Sequence, residues 1–122
     1  MVDITAQGIL DRNNWTESQI SLTNLEYLID DVIDWVNLMT GASISAMTGV
    51  AGSKTVTVSR NENATLKMLL PLIVRAYLDR GPSSSAGGLS VAVIATDPQT
   101  GQLRPMVRQA LQMLRGRSFE RV

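Results

Sequence analysis

A chain of 122 residues, 44% hydrophobic and 18% charged, has room for one domain with one modest core. It contains neither cysteine nor histidine, which excludes disulfides, thiolate metal sites, His-dependent triads and the commonest general base. Net charge is zero, but residues 1–53 set seven acids against Arg12 alone, whereas 54–122 set ten Lys and Arg against four acids. One half is acidic and the other basic.

Residues 1–20 show weak periodicity and several turn formers (Gly8, Asn13, Asn14), and predict a flexible arm with one short helix, anchored by Trp15. They lack the apolar stretch of a secretory signal. Thr23-Asn24-Leu25-Glu26 fits a capping box, with Leu22 and Tyr27 placed as a hydrophobic staple. Leu22, Leu25, Leu28, Ile29, Val32, Ile33, Trp35, Val36 and Met39 then fall in one arc of the helical wheel. Glu26, Asp30, Asp31, Asp34 and Asn37 take the other side, and Gly41 is a natural stop. A helix over 22–40 follows.

Residues 41–52 are small and glycine-rich, predicting a flexible loop, and Lys54–Ser59 alternates like a short strand. Ser59-Arg60-Asn61-Glu62 is a second capping box, opening a helix over 61–80 that is apolar almost all round. Such a helix must be wrapped, either by the rest of the chain or by further copies. Pro71 inside it predicts a kink near 67–71. Its apolar run, Met68–Val74, is far short of the ~20 residues of a membrane span, so a soluble protein is expected.

Residues 82–103 read as a loop with a β-branched strand over 89–95, paired with 54–59. Pro105 suits a first helical position. In the basic helix and tail of 104–122, one arc is apolar and Arg104, Arg108 and Arg115 align opposite it. The organisation expected is a single domain: an arm (1–20), a two-helix body (21–81) with an inserted loop and strand (42–60), a connection (82–103) and a basic helix and tail (104–122). The fold class is mainly α, a helical bundle with a short β element.

No constellation of catalytic residues emerges. Gly49-Val50-Ala51-Gly52-Ser53-Lys54-Thr55 resembles a phosphate loop only loosely: two residues, not four, separate the glycines, and a strand rather than a helix follows. Asp30 and Asp34 form an i, i+4 acidic pair, for which a solvated face is the simplest reading. The arginines at 104, 108, 115, 117 and 121 suit an anionic partner, but Phe119 alone is a poor stacking platform for single strands.

The stretch Leu22–Arg80 resembles the small head–tail connector (adaptor, or head-completion) proteins of long-tailed bacteriophages. The likeness lies in a helix ending Ile33-Asp-Trp-Val-Asn-Leu-Met-Thr-Gly41, a glycine-bearing loop, and a second helix ending Val74-Arg-Ala-Tyr-Leu-Asp-Arg80, similar to a Tyr-x-x-Arg helix end. It covers about half the chain. It implies a structural, non-enzymatic protein with no cofactor or metal, forming a homo-oligomeric ring (dodecameric in such proteins) beneath the portal protein. The ring would sit in the virion neck, assembled in the host cytoplasm. It would extend the DNA channel toward a downstream neck or tail protein, with no membrane contact and no sequence-specific DNA binding.

On this reading Arg104, Arg108, Arg115, Arg117, Phe119 and Arg121 dock on the portal. Asp30, Asp31, Asp34, Arg75 and Arg80 lie between subunits, and Gly49, Gly52 and Lys54 face the channel or the next ring. The residues leave a second reading, a small DNA-binding regulator using the basic C-terminal helix. An enzyme is the least supported of the three.

Overall fold

Strand β1 (Val2–Thr5) leads directly into helix α1 (Ala6–Asn13), followed by α2 (Leu22–Thr40), strand β2 (Thr55–Val58), α3 (Arg60–Asp79), the short α4 (Val91–Ala95) and α5 (Pro105–Glu120). The computed structural model describes residues 1–79 and 91–120, with side chains through 114. The protein is mainly α, and the described residues include one two-stranded antiparallel sheet, in which Val2 pairs with Val58 and Thr5 with Thr55. The expectations that fall on residues 80–90, Arg80 among them, and on 121–122, with Arg121, lie outside the described residues, and those on the side chains of 115–120 lie outside the described side chains.

Helix α3 is the centre. Thr65, Leu66, Leu69, Leu70, Ile73, Val74 and Tyr77 are buried along it, and α2, α4, α5 and β1 pack around it. The chain itself wraps the apolar helix, so the core needs no second copy. At its start the Ser59–Glu62 capping box forms as expected: Glu62 N–H donates to Ser59 Oγ (3.2 Å) and Ser59 N–H to Glu62 Oε1 (2.8 Å). Buried Thr65 ties α3 to α5 by donating to the Ala110 carbonyl at 2.9 Å. Tyr77 reaches α2, its hydroxyl accepting from Asn24 Nδ2 at 3.1 Å. The helix runs through Pro71 without a break.

Four expectations fail. The arm is not an arm, because Ile4, Ala6, Ile9 and Leu10 enter the core; residues 6, 9 and 10 keep helical spacing, and Thr5 caps α1 by accepting from Gly8 N–H. Helix α2 is capped by Ser21, whose Oγ accepts from Asn24 N–H at 3.1 Å, so Thr23 is a helical residue. Tyr27 is 57% exposed and makes no staple. Residues 91–95 are helical, with Val91 and Ala95 buried one turn apart, and β2 pairs with β1 instead.

At the other end of that region, Thr96 pairs with Leu103 and Asp97 N–H donates to Gln102 O at 2.8 Å, a tight turn that delivers the chain to α5. Val107, Ala110 and Leu111 are the buried side of α5, as their spacing requires.

Candidate functional site

The segment between α2 and β2, expected as a flexible loop, is held at three points by polar side chains of α2. Asn37 acts like a strand partner, accepting from Ile44 N–H and donating to Ile44 O, both at 2.9 Å. Asp30 Oδ1 accepts from Met47 N–H at 2.9 Å. Thr48 and Thr55 then exchange both backbone hydrogen bonds and close a small hairpin.

Inside that hairpin lies the Glu26 carboxylate, only 2% exposed. Oε1 accepts from Gly52 N–H at 2.8 Å and Oε2 from Lys54 N–H at 2.9 Å. Gly49 (φ 121°) and Gly52 (φ 90°) take conformations that side-chain-bearing residues seldom adopt, and this bends the amides round the carboxylate. Gly52 and Lys54 thus present their amides to an internal acid. A phosphate would have to displace Glu26, which gives a physical reason against the phosphate-loop resemblance.

Of the residues on the polar side of the wheel, Asp30 is expected on a solvated face and Glu26 as a cap, and the structure corrects both: with Asn37 they secure the segment that packs over that side of α2. Asp30 is half-buried, with its Oδ1 engaged by Met47 N–H inside the fold. Asp34 is exposed and Asp31 half-buried. Burial, with Asp34 and then Asp30 nearby, pushes the Asp31 carboxyl above its ordinary range. With Tyr27 and Leu38 (57% and 81% exposed), Asp31 and Asp34 form a stripe at i, i+4, i+7 and i+11. The stripe is about 16 Å long at helical rise.

The basic residues separate similarly. Arg104, expected to dock on a partner, is half-buried. Its Nε donates to Ile94 O and its backbone N–H to Ala95 O, both at 2.9 Å, so it fastens α4 to the start of α5. It also borders an open apolar recess of about 620 Å³ whose walls include Ala76, Ala92, Ile94 and Pro98. Arg108, one turn on, is exposed. The side chains of Arg115, Arg117 and Phe119 lie outside the described set, although their backbone is helical. On α3, Arg60, Lys67 and Arg75 are all exposed on one face, with half-buried Ala64 and Pro71 between them and Leu78 just beyond.

The features that sequence reasoning missed are the Glu26 cradle and the two large apolar side chains flanking Asp31 and Asp34. A signal for the first existed: glycines at 49 and 52 mark a backbone bent to converge its amides, and Glu26 is the acid they meet. In comparisons with protein-family models, curated proteins and solved structures, the chain matches none.

Proposed function

We propose that this chain is a structural subunit of a phage head–tail connector, assembling as a ring beneath the portal and continuing the DNA channel toward the tail. The observation that supports it best is the pinned segment 42–54. Three side chains of α2 hold a hairpin in fixed shape, yet Val50 at its tip is 79% exposed. A rigid projection with an apolar tip suits contact with a neighbouring protein. It does not suit capture of a small anion, because Glu26 already takes the amides that an anion would need.

The α2–hairpin–α3 unit is the part that carries the sequence resemblance, and Tyr77 of the Tyr-x-x-Arg end joins α3 to α2 within it. Portal docking is assigned to Arg108, Arg115, Arg117, Phe119 and Arg121, without Arg104. Replacing Arg108, Arg115, Arg117 and Arg121 together by Ala should leave the far-ultraviolet dichroism unchanged and abolish co-sedimentation with a portal complex. Undiminished co-sedimentation would refute the assignment. The DNA-regulator reading shares these arginines; a salt-dependent shift of duplex DNA by the wild-type chain would favour it, and no shift at low salt would remove it.

A further inference from the structure

We propose that the outward faces of α2 and α3 are the two halves of one contact, the acidic stripe of one copy seating on the cationic stripe of a second copy. This rests on the assembly reading above and identifies its surfaces.

The α2 stripe places Asp31 and Asp34 between Tyr27 and Leu38. The α3 stripe places Arg60, Lys67 and Arg75 at intervals of two turns, with small or apolar half-buried residues between. Two such faces can pack as helix on helix, apolar ends against apolar gaps and carboxylates against cations. They cannot meet within one chain. The helices turn their buried sides toward the shared core, through Leu25, Ile29 and Val32 of α2 and Leu66, Leu69 and Ile73 of α3. Both stripes therefore face away from it.

Charge also decides which contact forms. A symmetric dimer through α2 sets Asp31 and Asp34 against their own copies, and one through α3 sets cations together; both are repulsive. Only the unlike pairing is attractive, and it is head-to-tail. The joined pair then retains one unused stripe of each kind, one at either end, so the chain extends until it closes. Burial is the first cause that raises the Asp31 carboxyl, and Asp34 and then Asp30 add to it; a cation from a neighbour would oppose that like-charge part.

The absence of cysteine makes the test specific, because any introduced thiol is the only one present. The full chain carrying both Asp34→Cys and Lys67→Cys, treated with a short bis-maleimide at low salt, should give a ladder of multimers. Each single variant alone should stay monomeric on the gel, and a mixture of the two singles should give dimers only. Reversing Asp31 and Asp34 to Lys, or Lys67 and Arg75 to Glu, should weaken sedimenting self-association about 10-fold or more, and mixing the two reversed chains should restore it.

Asp34→Cys linking to itself, or no ladder from the double variant, overturns the proposal. If the wild type still assembles on the portal in that case, only the surfaces are wrong. If it remains a monomer there too, the assembly reading falls with them.

Discussion

Replacing Glu26 tests the hairpin on which the functional reading leans. Its carboxylate accepts two backbone hydrogen bonds while 2% exposed. Hydrogen bonds to a charged group contribute about 1.5–3 kcal/mol each. Glu26→Ala therefore removes at least about 3 kcal/mol, a large share of the roughly 6–18 kcal/mol expected of a domain this size.

Glu26→Gln keeps one acceptor but turns an amide donor toward the other N–H, and should cost about half as much. Asp30→Ala frees Met47 N–H alone and should fall near the Gln variant, about 1.5–2 kcal/mol. Urea unfolding followed by tryptophan fluorescence, Trp35 being buried, gives the three values. Hydrogen exchange adds the location: Gly52 and Lys54 amides should lose protection in Glu26→Ala, with those of Leu69 and Leu70 falling only by the global change. A loss below about 1 kcal/mol, or unchanged exchange at Gly52 and Lys54, would refute the cradle.

Other residues give shorter tests. Asn37→Ala breaks both bonds to Ile44 and should cost about 1–2 kcal/mol in urea unfolding, with exchange accelerating at Ile44. Arg104→Ala releases the Ile94 carbonyl and should lower the urea midpoint, whereas Arg108→Ala, at an exposed position, should leave it within error. Asp31→Asn should raise stability at neutral pH. Its folded-state pKa is raised, so the folded chain binds the proton more tightly and ionised Asp31 opposes folding above that pKa. The gain over wild type should shrink as pH falls through the raised value and vanish below the ordinary carboxylate pKa; denaturation at several pH values at high dilution checks it.

Features encoded by neighbouring residues were legible before the structure. The Ser59–Glu62 box, the apolar arc of α2, the Gly41 stop and the Pro105 start all depend on side chains within a turn or two of one another. What failed was decided by residues far apart in the chain. Val2–Thr5 is too short to show alternation, and its partner lies fifty or more residues away.

Val91–Ala95 has a β-branched composition, but burial of Val91 and Ala95 on one side makes it a helix. Glu26 stands three residues after Thr23 and so looks like a cap, yet a bent glycine-containing backbone offers it two amides instead of one. Of the candidate residues, Asp31, Asp34, Arg75 and Arg108 lie where an interface can use them, whereas Asp30 and Arg104 are engaged within the fold. Spacing on a helical wheel cannot separate these, because it does not show what packs over the polar side.

Native mass spectrometry of the portal complex incubated with a substoichiometric amount of this chain bears most directly on its role as an assembling subunit. Head-to-tail closure predicts two populations, bare portals and portals carrying a full ring, with few intermediates between them. A statistical ladder of singly added copies, or portals that remain bare when the chain is in excess, would contradict it.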